Sequence, residues 1–201
     1  MKLTKLIGMV SLAITATTAA QAAVVMNVWE DGTDVRAQVR GSLDMSGYDS
    51  QFNSTGGSSF SQSAFLLGRD GATDVMDSYQ FNSVTTPTTL GPLFSSSPPS
   101  SSLGSDFGMS FGGSAANTTI VNVDQGYTNG DTITTDSLWA TETLVNMGLA
   151  SGTYLFTLPR DTITIKIGEA PAVSAVPLPA SAPLLAFGCG LMAWAGRRRR
   201  T

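Results

Sequence analysis

The most regular pattern in the chain is Thr162-Ile163-Thr164-Ile165-Lys166-Ile167, in which isoleucine occupies every second position. Successive side chains of a β-strand point to opposite faces, so this segment predicts a strand with one apolar and one polar face. Residues 153–158, just before it, also have the composition of a strand. The two segments together predict a β-hairpin.

The same two-residue period recurs towards the N-terminus. Residues 24–29 predict a strand, 30–33 a turn, and 34–43 a second strand in which Val35, Ala37 and Val39 alternate with polar residues. Other segments are assigned as follows: strands at 60–67, 79–84, 107–111 and 118–123; loops at 46–63, 69–77 and 95–102; a turn at 126–131; and one or two helical turns at 143–149. Short strands and glycine-rich turns predict an all-β domain, an antiparallel β-sandwich or jelly roll.

The N-terminus has the three parts of a secretory signal peptide. Lys2 and Lys5 form a basic region, residues 6–16 are apolar, and Ala20-Gln21-Ala22 provides the small residues that signal peptidase accepts. We therefore expect a signal peptide helix over 1–22 and a mature chain that begins at Ala23. An uncut membrane anchor is disfavoured because the apolar run is short.

The C-terminus combines a proline-bracketed motif, an apolar run and four arginines. The motif is Val176, Pro177, Leu178, Pro179 and Ala180. It is followed by a transmembrane helix predicted over about 180–196 and by Arg197, Arg198, Arg199 and Arg200. The 16 residues from Ala180 to Ala195 would span about 24 Å as a helix, less than the roughly 30 Å of a bilayer core. The prolines favour an extended motif, and the arginines are expected to stay cytoplasmic.

This tail resembles the C-terminal sorting signal of the PEP-CTERM family, in its Val-Pro-Leu-Pro-Ala variant. Leu178 stands where the best-known form of the signal has glutamate between the two prolines. The resemblance implies processing at the motif by an exosortase-type membrane transpeptidase, after passage through the inner membrane. It also implies delivery to the cell surface or extracellular matrix of a bacterium, in association with exopolysaccharide or a biofilm. The alternative is a C-terminal anchor that is never cut.

Removing both terminal segments leaves an acidic domain. Six of the 11 basic residues lie in those segments, so five remain against 15 acidic residues, a net charge of −10 over residues 23–175. Such a charge disfavours nucleic acid as a partner. The only cysteine, Cys189, lies in the tail, so the domain has no disulfide. We expect an ectodomain over 23–168 and a linker over 169–175.

The composition limits the chemistry that this domain can carry. The chain has no histidine, which excludes Ser-His and Cys-His catalysis and removes the commonest metal ligand. We therefore expect no enzyme, although paired carboxylates could hydrolyse glycosides. Asp70, Asp74 and Asp77 provide oxygen ligands of the kind that calcium takes, and a solvated acidic loop is the other interpretation. No other cofactor is expected.

Four aromatic residues are candidates for stacking against sugar rings or for places in the core: Trp29, Tyr127, Trp139 and Tyr154. The leading hypothesis is a non-catalytic surface or matrix protein that signal peptidase and exosortase process. The alternative is a carbohydrate- or calcium-binding adhesion module, uncut and tethered to the membrane.

Overall fold

The computed structural model describes residues 23–68, 75–82, 84–92, 96–111 and 118–172, and this part of the chain is all-β with no helix. Numbered in chain order, its strands are β1 (Ala23–Asp31), β2 (Asp34–Gly41), β3 (Ser50–Thr55), β4 (Ser59–Ser61), β5 (Ala64–Leu67), β6 (Val75–Asn82), β7 (Ser96–Ser97), β8 (Ser101–Gly104), β9 (Phe107–Ser110), β10 (Thr118–Asp124), β11 (Ile133–Trp139), β12 (Gly152–Thr157) and β13 (Thr162–Ile167). The predicted terminal helices lie outside the described residues.

The strands form two sheets. One has six strands in the order β12-β13-β1-β2-β11-β8, and the other has seven in the order β3-β6-β10-β9-β5-β4-β7. The chain divides into two units, Met1–Ala170 and Pro171–Thr201. Both sheets belong to the first unit, and residues 171 and 172 alone are described in the second.

The apolar faces of both sheets contribute to one hydrophobic core. In β13 the three isoleucines are buried while Thr162, Thr164 and Lys166 are half-buried, so the predicted alternation is confirmed. The hairpin of β12 and β13 and that of β1 and β2 are confirmed as well. Between the sheets, Phe60 on β4 meets Trp139 on β11 edge-to-face, with ring centroids 5.9 Å apart. This arrangement is consistent with a β-sandwich.

One predicted feature of the pairing is wrong: the six-stranded sheet is not purely antiparallel. Strand β1 runs parallel to β13, with Ala23 opposite Thr162 and Val28 opposite Ile167. The other paired strands in the described residues are antiparallel. The first and last strands thus lie side by side in the middle of the sheet, a long-range pairing that local alternation does not reveal.

Segments 46–63, 60–67 and 95–102 differ from the sequence prediction because small polar residues obscure their periodicity. Residues 46–63, predicted as a loop, contain β3 and β4. The single strand predicted over 60–67 is a hairpin of β4 and β5. The serine-rich segment 95–102 contributes β7 and the start of β8, and Ser102 is buried. Its hydroxyl lies 2.6 Å from that of Ser137 and accepts a hydrogen bond from the Gly68 N–H at 2.7 Å.

The predicted helical turns at 143–149 are a compact turn in the structure. The N–H of Met147 donates to the carbonyl of Thr143 at 3.0 Å, which is the spacing of a single α-turn. Gly148, at φ 70°, then ends the turn in the left-handed region that glycine tolerates. Leu144, Met147 and Leu149 are buried, so the segment covers part of the core.

Candidate binding site on the six-stranded sheet

A depression with a volume of about 300 Å³ lies on the solvent-facing side of the six-stranded sheet. We call it the Trp29 depression. Its lining comes from β1, β2, β8 and β11: Trp29, Arg36, Ala37, Gln38, Ser101, Leu103, Asp136, Ser137 and Leu138. It joins an aromatic ring to charged and amide groups.

Strand register brings these residues together from distant parts of the sequence. Trp29 pairs with Arg36, and Arg36 pairs in turn with Leu138, which faces Ser101. The next row of the same face runs from Gln38 to Asp136 and on to Leu103. The inward-facing neighbours on β1 and β2, such as Val28 and Val35, are fully buried and fix which face each residue of the depression presents.

Asp136 is the centre of a polar network beside the depression. Its Oδ1 accepts hydrogen bonds from Nε2 of Gln38 and Nη2 of Arg40, both at 3.0 Å, and its Oδ2 lies 2.7 Å from Nη2 of Arg40. The other terminal nitrogen of Arg40 donates to the carbonyls of Val39 and Thr135. These contacts hold the side chains of Gln38 and Asp136 in fixed positions on the sheet surface.

The same contacts keep Asp136 ionised. Burial by itself raises its pKa, but hydrogen bonds from Gln38 and Arg40 and the charges of Arg40 and Arg36 outweigh burial and lower the pKa below the usual aspartate value. Asp136 is therefore a permanent hydrogen-bond acceptor at neutral pH. The network contributes stability that is present above the ordinary aspartate pKa and is lost as the pH falls through the lowered one.

Arg36 makes a hydrogen bond through only one of its side-chain nitrogens within the described residues. Its Nε donates to Oδ2 of Asp31 at 2.7 Å, and 47% of its side chain is exposed. Within the described residues its two terminal nitrogens make no hydrogen bond. The Arg36 guanidinium group is thus oriented by its contact with Asp31, and its terminal nitrogens are unbonded to the other described residues.

The structure separates the four aromatic candidates. Trp29 is partly exposed in the depression, whereas Trp139 is 1% exposed and donates its Nε1 hydrogen to the Ser97 carbonyl at 3.1 Å. The hydroxyl of Tyr127 bonds to the backbone of Leu43, and that of Tyr154 to the carbonyl of Ala150. Trp139 thus belongs to the core, and Tyr127 and Tyr154 pack against its edge. Trp29, Tyr127 and Tyr154 are all half-buried, and of the four candidates only Trp29 lines the depression.

The sequence predicts that Asp77 lies in a loop, but in the structure it lies inside β6. It is 8% exposed, and one of its carboxylate oxygens accepts a hydrogen bond from the Gly126 N–H at 2.8 Å. Asp70 and Asp74 lie outside the described residues, so the calcium site stays a prediction. Within the described ranges no group of three or more His, Cys, Asp or Glu residues is arranged to hold a metal ion.

Asp161 is the least exposed of the described carboxylates. It is 6% exposed, and it accepts hydrogen bonds from the N–H of Asp44 at 2.9 Å and of Thr162 at 2.7 Å. Burial raises its pKa, backbone hydrogen bonds oppose that shift, and the nearby charge of Asp44 adds to it. These contacts give Asp161 a structural role, because they join the turn between β12 and β13 to the segment after β2.

Of the residues predicted to be involved in processing, the structure describes only Ala23. Ala23, the residue expected to follow the signal-peptidase cut, is the first residue of β1. Ala20, Ala22, the motif at 176–180 and the arginines at 197–200 lie outside the described residues. In the part of the chain that is described, no helix has the length and apolar character needed to cross a membrane.

The sequence pattern identifies part of this site and misses the rest. Trp29 is a candidate from the sequence, whereas Arg36 and Gln38 are predicted only as polar positions of the strand over 34–43. Asp136 and Leu138 were missed, because no strand is predicted over 133–139. Every second residue of β11 is buried: Ile133, Thr135, Ser137 and Trp139. Two of these four are polar, so the sequence does not show the apolar alternation of a strand. Comparison with protein-family models, curated proteins and solved structures gives no match to this chain.

Proposed function

We propose that this chain is an exported, non-catalytic surface or extracellular-matrix protein of a bacterium. In this proposal the two sheets form a β-sandwich ectodomain, the segment before Ala23 is removed by signal peptidase, and the tail is a Val-Pro-Leu-Pro-Ala sorting signal processed by an exosortase-type transpeptidase. The precursor passes through the inner membrane, and the mature protein is held at the surface or in the matrix. The association with exopolysaccharide rests on the resemblance of the tail.

The observation that carries the proposal is where the folded strands begin and end. Strand β1 starts at Ala23, and β13 ends at Ile167, so that eight residues separate the last strand from the motif at Val176. The described strands therefore lie between the two predicted cuts. This matters because β1 and β13 are neighbours in the centre of one sheet, and a cut within either strand would remove pairing on both sides of it.

Close packing at the start of β1 also supports a domain that begins at Ala23. Ala23 pairs with Thr162, and a Cβ atom added at Gly41 would lie 2.0 Å from the Ala23 carbonyl oxygen. The chain is thus tightly placed from its first mature residue onward. We infer that signal-peptidase cleavage precedes the pairing of β1 with β13, since the peptidase needs that segment extended and accessible.

Replacing both Pro177 and Pro179 by alanine tests the sorting proposal. We expect the precursor to accumulate in the inner membrane and the surface form to disappear, because the motif then loses its extended conformation and can join the following helix. Immunoblots of membrane and surface fractions measure the two forms.

The matched control is Pro171→Ala, which removes a proline from the predicted linker and is expected to leave processing unchanged. Replacing the four arginines by serine should instead reduce retention of the precursor during processing, since the cytoplasmic end loses its anchor. Normal processing of the double proline variant would refute the sorting signal and leave a tethered β domain.

A further inference from the structure

We propose that the Trp29 depression is a binding site for a neutral polysaccharide or oligosaccharide. The inference rests on the lining of the depression and does not depend on the fate of the tail. It assigns the ectodomain a ligand class, a face and a set of contacts.

The apolar part of the depression suits the C–H face of a sugar ring. Trp29 is partly exposed at one side of the depression, and Leu103 at the other side is 68% exposed. Leu138 lies between these two residues. An indole ring is a flat, rigid surface that loses little conformational entropy on binding. The exposed part of Trp29 and the side chain of Leu103 are apolar surface in contact with water in the free protein, and a ring stacked between them would remove that surface from water.

The polar part suits the hydroxyl groups at the edge of the same ring. Arg36 offers two terminal nitrogens, Gln38 an amide oxygen, and Asp136 a carboxylate that already holds two donors. Planar groups of this kind can bond two neighbouring hydroxyls at once. Because the network with Arg40 fixes Gln38 and Asp136 in advance, little side-chain entropy is lost when a ligand binds.

The charges of the site favour a neutral ligand. Arg36 is paired with Asp31, and Arg40 with Asp136, each at 2.7 Å. The depression therefore carries compensated charges within a domain whose net charge is −10. A uronate-rich or nucleic-acid chain would meet the repulsion of that domain without an unpaired cationic pocket to offset it.

The shape favours a chain over a single small molecule. The lining crosses four neighbouring strands, so that it extends about 14 Å at roughly 4.8 Å per strand spacing. Its volume of about 300 Å³ is at the lower end for small-molecule sites. A surface depression that crosses four strands fits a few consecutive sugar units. A protein partner would require a larger apolar centre than Trp29, Leu103 and Leu138 provide.

Binding of the full chain to purified polysaccharides tests the site. The protein is purified in lauryldimethylamine oxide, a detergent without a sugar headgroup, and titrated calorimetrically with neutral glucans and galactomannan and with the acidic polymers alginate and polygalacturonate. We expect binding to at least one neutral polymer, with little dependence on salt. Trp29→Ala should weaken it about tenfold or more, because the stacking surface is lost.

Two further variants make the test specific. Leu103→Arg places a long charged side chain at the far side of the depression from an exposed position and should also weaken binding. Phe52→Ala removes an aromatic ring that is 40% exposed on β3 of the other sheet, and its binding should equal that of the wild type. Thermal melting of each variant confirms that it is folded.

The proposal is overturned if no neutral polymer binds, if Trp29→Ala and Leu103→Arg bind as the wild type does, or if Phe52→Ala reduces binding as much as Trp29→Ala. Binding confined to the acidic polymers and abolished by salt would contradict the neutral ligand class. If none of the sugars binds, and a protein from the producing cells binds the wild type but not Trp29→Ala, the face is a protein interface instead.

Discussion

Ile165→Asp is expected to abolish folding of the ectodomain. Ile165 is fully buried, and it lies in β13 between β12 on one side and β1 on the other. The substitution removes a large apolar side chain, at a cost of about 2–5 kcal/mol, and leaves a carboxylate in the core without a partner, at a further cost of several kcal/mol. The sum approaches the whole stability of a domain, roughly 5–15 kcal/mol.

Circular dichroism of residues 23–175 measures this effect. The wild-type segment should give a β-type spectrum and a cooperative thermal transition, and the variant neither. Thr164→Asp is the matched control, since the neighbouring side chain lies on the outer face and is half-buried. Equal loss of structure in the two variants would show that the two faces of β13 are assigned incorrectly.

Trp139→Ala should cause the second largest effect, a loss of about 3–5 kcal/mol in the free energy of unfolding. Trp139 is the largest of the fully buried side chains, and its ring contacts Phe60 from the opposite sheet. The truncation leaves a cavity between the sheets and removes the hydrogen bond to the Ser97 carbonyl. For a domain of this size the melting temperature should fall by on the order of 10 °C.

The same substitution at the other tryptophan of the ectodomain provides the comparison. Trp29→Ala should change the melting temperature far less, because its ring is partly exposed, while it weakens sugar binding. Trp139→Phe should lie between wild type and Trp139→Ala, since it keeps the contact with Phe60 but loses the Nε1 donor. A larger loss of stability from Trp29→Ala than from Trp139→Ala would contradict the assignment of one residue to the surface and the other to the core.

The strands that the sequence predicts well are those in which bulky apolar residues alternate with polar ones. The isoleucines of β13 and the valines of β2 belong to this group, and both hairpins predicted from them are confirmed. The signal is physical, because a residue such as Ile165 has only one face of a sheet on which burial is favourable.

The strands that the sequence misses place serine and threonine in the core. Ser102 and Ser137 face each other across β8 and β11 with their hydroxyls 2.6 Å apart, and both are 5% exposed. Each satisfies the other, so neither requires water, yet a serine-rich segment looks solvated when it is considered alone. The compensation becomes visible only when the pairing of the two strands is known.

The candidate site could be predicted only in part for the same reason. Trp29 and Arg36 are seven residues apart and belong to one hairpin, so their proximity follows from local pattern. Gln38 and Asp136 are 98 residues apart. Their contact depends on the pairing of β2 with β11, and the position of β1 depends on the parallel pairing with β13. Both pairings join strands that are far apart in the sequence, and they follow from the packing of the whole core.

Intact mass spectrometry of the protein extracted from the surface of producing cells tests the central claim most directly. If the chain is exported and sorted as proposed, the mass corresponds to a polypeptide that begins at Ala23 and ends at or near 176–180, without Cys189, Trp194 and the four arginines. A mass that includes residues 181–201 would contradict the account, because the tail would then be a permanent anchor and not a processed signal.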